Sequence, residues 1–163
     1  MRVSRQIVSL CLVFSLSALL APVTFASGTQ FEHFVLHEHY AIDNVIFLAN
    51  PCTGGFTTAT TQGQGHVNVV SDGAGGGHVI IVESETGEAV DEDGTTYVVG
   101  VTTLGSGQAT FVQGNMAVTV ESNVHFVSPG GAENYIAHGL IHMLITPNGT
   151  TRDFELFSTE CRG

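Results

Sequence analysis

The chain has 163 residues, of which 43% are hydrophobic and only 12% charged, with 20 glycines and a formal net charge of −11. It contains no lysine, and once Arg2 and Arg5 are set aside Arg152 and Arg162 are the only cations against all 15 Asp and Glu. Nucleic acid and acidic membrane surfaces are bound by clusters of Lys and Arg, so both are excluded as partners, and the charge reads instead as solubility and attraction for cations.

The first stretch is a targeting signal. Arg2 and Arg5 form a basic n-region, Ile7 to Leu20 an apolar h-region, and Thr24-Phe25-Ala26 offers small residues where a signal peptidase cuts. Residues 1–26 are thus expected to be a signal peptide and residues 27–163 a single secreted domain. A membrane anchor is disfavoured because the apolar run is short and ends at Pro22. Leu10 before Cys11 is the wrong residue for lipid attachment. Cys52 and Cys161 remain, and an even count in an exported chain implies a disulfide between them.

Helix signals are nearly absent, and alternating runs rich in Thr and Val are cut by Gly, Asn and Asp. Phe31 to Ala41 and Asn44 to Ala49 are expected strands, followed by the turn Asn50-Pro51-Cys52-Thr53-Gly54-Gly55. Phe56 to Thr61 and His66 to Ser71 are strand-like with glycines between them, which suits a kinked strand. The glycines at 73–77 precede a strand, not a helix with Lys and Ser/Thr at its mouth, so they are a hairpin and not a phosphate loop. His78 to Ser84 is a strand, and Glu85 to Gly94 is expected to be a solvated acidic loop without a calcium-loop spacing. Thr95 to Leu104, Ala109 to Val127, Tyr135 to Thr146 and Thr151 to Cys161 complete about eight strands. Their sequential order implies an all-β, antiparallel up-and-down barrel, with a β-sandwich as the alternative.

Four short motifs carry a resemblance. Asn50-Pro51-Cys52-Thr53-Gly54, the Gly-x-x-His run at 63–66, Tyr97-Val98-Val99-Gly100 and Glu160-Cys161-Arg162-Gly163 resemble a group of small exported bacterial β proteins of unknown function. The resemblance implies a shared disulfide-closed β fold and no activity. More distantly, the strand order is similar to lipocalin-like and allene-oxide-cyclase-like barrels, an analogy of fold that does not give function.

Eight histidines are the unusual chemical feature. His37 and His39 lie two apart on one strand face, the spacing cupin metal sites use, which makes them candidate ligands for a divalent metal although the rest of a cupin pattern is absent. A second constellation follows from register. With Asn148-Gly149 as a two-residue hairpin loop, His142 faces Glu155 and His138 faces Thr159. With Phe126 opposite Ala137, Glu121 faces His142 and His125 faces His138. Glu121, His125, His138, His142 and Glu155 then form adjoining rows able to bind a ligand or metal, either inside a barrel or on a wet outer face. No nucleophile elbow, reactive cysteine or cofactor fingerprint supports an enzyme. The expected function is a secreted, non-enzymatic binding module for a small apolar or weakly polar ligand. The alternatives are an isomerase or cyclase using the Glu/His row and a cell-surface or matrix interaction protein.

Overall fold

The computed structural model of the chain describes residues 35–110, 113–146 and 148–162. The expected signal peptide at 1–26 lies outside the described residues. Seven strands follow one another: β1 Val35–Ala49, β2 Phe56–Ser71, β3 Gly76–Asp91, β4 Thr96–Thr110, β5 Asn115–Val127, β6 Asn134–Thr146 and β7 Gly149–Arg162. Each pairs antiparallel with the next in a single sheet of order β1-β2-β3-β4-β5-β6-β7, and there is no helix among the described residues. The meander curls into a half-barrel. The strands are longer and fewer than the alternation alone indicates, because several expected breaks are traversed without leaving the ladder.

The largest such difference is the stretch read as an acidic loop. Glu85 to Asp91 continues β3, and the turn is confined to residues 92–95, where Gly94 donates to the Asp91 carbonyl at 2.9 Å with φ of 87°. Glu83, Glu85 and Asp91 share parity with Val79, Ile81 and Ala89, so strand periodicity turns them inward with the core. In the same way β1 runs unbroken through 42 and 43, and β4 runs on to Thr110 where a break after Leu104 was expected.

Curvature comes from glycines on the inner face. A Cβ on Gly63 would lie 2.0 Å from the Ser84 carbonyl oxygen, one on Gly87 2.0 Å from that of Thr60, and one on Gly107 2.1 Å from that of Ala117. These strands approach too closely for any side chain there, which lets a long sheet coil without losing its ladder.

The buried face forms two apolar clusters. One, around Ile46, Leu48, Val99, Phe126 and Tyr135, contains the stacked rings of Phe126 and Tyr135 at 4.2 Å with Tyr97 edge-on to both. The other gathers Val79, Ile81, Val118, Val120, Ile141 and Met143.

Six successive antiparallel steps leave β1 and β7 running in the same direction, and no ladder joins them among the described residues. Their C-terminal ends are joined covalently instead, by the Cys52–Cys161 disulfide, with Cα atoms 5.2 Å apart. The Asn-Pro-Cys-Thr-Gly segment is the anchor that makes this possible. Asn50, almost fully buried, accepts the Cys52 N–H at 2.8 Å and donates to Asp91 at 2.9 Å and to the Tyr97 hydroxyl at 3.1 Å. Thr57 and Thr53 donate to the same Asp91 carboxylate at 2.9 and 3.2 Å. The buried charge of Asp91 is thus met by three neutral donors, and its strand holds the cysteine turn in place.

Candidate ligand-binding cleft

The inward carboxylates of β3 sit in a cross-strand row that spans the whole sheet. Ladder pairing aligns Tyr40, Gly65, Glu83, Thr103, Ser122, Gly139 and Phe157, one from each strand. The row is polar at its centre, and its two inner glycines leave room for neighbours. Tyr40 lies over Gly65, where a Cβ would fall 2.3 Å from the ring, and its hydroxyl donates to Glu83 at 2.6 Å. Thr103 and Ser122 are joined at 3.1 Å further along. In the adjoining row Glu85 takes hydrogen bonds from Asn44 at 3.1 and 3.2 Å and from Thr61 at 2.5 Å.

Glu83 and Glu85 are 6% and 4% exposed, and neither has a cation beside it among the residues lining the cleft. Burial pushes the Glu83 carboxyl above the usual carboxylate range, and the Glu85 charge adds to this, while hydrogen bonds from Tyr40 and Thr103 pull the other way. Burial likewise pushes the Tyr40 hydroxyl up, reinforced by the Glu83 hydrogen bond and charge. The Arg162–Glu160 ion pair at 3.1 Å and the His138–Glu121 contact at 3.9 Å lie away from this interior.

The row crosses a cleft that opens between the two edge strands. Ile46 and Leu48 of β1, Val101 of β4, Val120 and Val124 of β5, and Ala137 and Ile141 of β6 make apolar walls, with Glu155, Leu156 and Phe157 of β7 along one lip. The space in it that water-sized bodies can occupy is about 40 Å³, room for a few waters. Concave apolar surface with a few convergent polar groups is the general form of a small-molecule site.

The residues singled out in sequence are divided by the structure. Glu121, His125, His138 and His142 share the outer face of β5 and β6, so the lumen placement considered for them is corrected. Their pairing is also shifted by two positions. Thr119 faces His142, with Oγ1 and Nδ1 2.9 Å apart, and Asn123 faces His138, with Oδ1 and Nδ1 2.9 Å apart. Glu121 faces Leu140 and His125 faces Ile136. The six residues between β5 and β6 do not set an offset, and any even shift preserves the apolar face.

Glu155 goes the other way. The β6–β7 turn pairs Thr146 with Gly149, and an irregularity between His142 and Met143 then moves the ladder by one, so Glu155 faces Ile141 and lines the cleft. A one-residue slip reverses every later side chain of a strand, and the expected Glu121–His142–Glu155 row does not form.

No protein family, curated protein or solved structure matches this chain.

Sequence reasoning overlooked Tyr40 and Asn44 as candidate site residues, and it weighed Glu83 and Glu85 only as oxygen ligands for Ca²⁺ before setting them aside with the solvated acidic stretch. A signal was present, since Glu83 and Glu85 fall in phase with Val79 and Ile81 of the same run. Among the described residues, one trio of Cys, His, Asp or Glu brings its ligand atoms within 4.8 Å of one another: Cys52, Glu133 and Cys161. Both sulfurs are spent in the disulfide and offer no thiolate to a metal. His37 and His39 stand exposed on the outside of β1, away from the cleft.

Proposed function

We propose that this protein is a secreted, non-enzymatic binding module whose half-barrel cleft takes up a small apolar or weakly polar ligand. One observation carries the reading: an open cleft with apolar walls is crossed by the hydrogen-bonding row centred on Glu83, Thr103 and Ser122. The apolar body of a ligand would displace water from Ile46, Val101, Val120 and Ile141, and its polar group would meet that row. The Cys52–Cys161 bond is compatible with an oxidising, extracellular setting, as the N-terminal signal pattern is. Kinship with small exported β proteins carrying the Asn-Pro-Cys-Thr-Gly segment belongs to the same reading.

Native mass spectrometry of protein purified from its own secretions, with binding of an apolar fluorescent probe, tests it. Gly139→Leu is the blocking variant, because a Cβ there meets nothing nearer than Phe157 at 3.9 Å and the Ser122 carbonyl at 4.0 Å, so the added side chain enters the cleft. Wild type should bind the probe, and Gly139→Leu should fold and lose it. Equal probe binding by the two proteins would end the proposal.

A further inference from the structure

Outside the barrel, the β1–β2 ladder assembles a group of nitrogen ligands that the cleft does not use. Strand alternation puts His37 and His39 on the outer face of β1, and the antiparallel register sets Asn68 opposite His37 and His66 opposite His39. Two successive cross-strand pairs thus place three imidazoles and one amide at the corners of a quadrilateral. Its sides are about 5 Å across the ladder and about 6.6 Å along each strand. The notable pairing is with His66, which sequence spacing alone could not bring to the other two.

The geometry of the central pair suits a shared metal ion. The rings of His39 and His66 have centroids 5.8 Å apart and planes inclined by 44°. A zinc ion about 2.05 Å from a ring nitrogen lies roughly 3.2 Å from that ring's centroid, and a tetrahedral angle between two such rings sets their centroids about 5.2 Å apart. The observed pair is therefore slightly wider than the closed form. His37 also makes a directional contact, its Nδ1 lying against the Asn68 Oδ1. With the Asn68 oxygen facing it, Nδ1 would carry the hydrogen and Nε2 would keep its lone pair. That is the tautomer a metal ligand needs, fixed by the kind of partner that orients ligating histidines.

We propose that His39 and His66, completed by His37 with Asn68 as its orienting partner, form a site for a borderline divalent transition metal such as Zn²⁺ or Ni²⁺. Imidazole donors select these ions over Mg²⁺ and Ca²⁺, which take oxygen ligands. His39 and His66 turn toward His37 by side-chain rotations, which surface residues make in picoseconds to nanoseconds, while Asn68 keeps its hold on His37. The chain's net charge of −11 draws cations toward the site. This site is independent of the cleft.

The test is calorimetric titration of the chelator-stripped, disulfide-intact protein with ZnCl₂ and NiCl₂, and with CaCl₂ for comparison. Wild type should show one site for Zn²⁺ and Ni²⁺ and none for Ca²⁺. His39→Ala and His66→Ala should each lose at least about tenfold in affinity, and Asn68→Ala should lose about tenfold through His37. His125→Ala should bind as wild type does. Circular dichroism should report unchanged sheet for all four variants, since none of these side chains belongs to the core. Absence of Zn²⁺ binding by wild type would overturn the proposal, as would a loss that follows His125→Ala while His39→Ala and His66→Ala bind normally.

Discussion

Gly87→Ala is the substitution that most directly tests whether close strand approach shapes this molecule. The new methyl would stand 2.0 Å from the Thr60 carbonyl oxygen and 2.8 Å from the Thr61 Cα, both backbone atoms that no rotamer change can move. Ordinary carbon–oxygen contacts are about 3.3–3.6 Å, so β2 and β3 must separate by more than an ångström at the Thr61–Gly87 pair. Overpacking alone costs about 1–3 kcal/mol, and loosening two ladder hydrogen bonds adds about 1 kcal/mol each. Against this stands a gain of about 0.4–1 kcal/mol from a stiffer unfolded chain. A net loss of about 3 kcal/mol is expected, a large share of the roughly 5–15 kcal/mol that holds a domain together. Gly100→Ala is the control: it meets nothing within 4 Å, so it should range from neutral to about 1 kcal/mol stabilising. Urea unfolding followed by circular dichroism measures both. A Gly87→Ala protein within 1 kcal/mol of wild type would refute the argument that inner glycines carry the curl.

Reducing the Cys52–Cys161 bond, which spans 109 residues, should cost roughly 4–5 kcal/mol in the chain-entropy account, seen as a lower urea midpoint in dithiothreitol. Asp91→Ala would strand the donors of Asn50, Thr53 and Thr57 and should cost about 3 kcal/mol or more, read from the same unfolding curves. Glu83 has a folded-state carboxyl held above the ordinary range by burial. Between its unfolded and folded values the native state holds more protons than the unfolded one, so stability falls as pH rises through that interval. Glu83→Gln should flatten this slope and be no less stable than wild type at neutral pH. An unchanged slope in a pH series of unfolding measurements would contradict that account.

The strand order was readable because alternation of Val, Ile and Thr with polar residues marks the strands, and short turns make chain neighbours into sheet neighbours. The loop between Val127 and Asn134 was placed correctly for this reason. Charge concealed the rest of β3: Glu83, Glu85 and Asp91 look like a solvated loop until their phase with Val79 is followed through Ala89. Face and offset also separate cleanly. Glu121, His125, His138 and His142 do share one face, since parity is set by the apolar residues beside them, whereas which one faces which depends on an offset that no residue in the connecting loop specifies. The change of register near His142 is a local backbone event without a sequence mark, and it alone carries Glu155 from the expected outer row into the cleft.

The neighbour-to-neighbour ladders have a consequence for the order in which the chain folds. Every ladder joins consecutive strands, so the sheet can grow one hairpin at a time, and each step closes only a short loop. The Cys52–Cys161 bond alone requires the two ends of the described sheet to meet. Thiol oxidation therefore comes after the curl is complete, and alkylation of thiols at intervals during refolding should find both cysteines reactive until late, when sheet signal has already formed. With two cysteines in the described chain there is no wrong partner to choose, so an oxidising enzyme would seal a finished sheet and would have nothing to reshuffle.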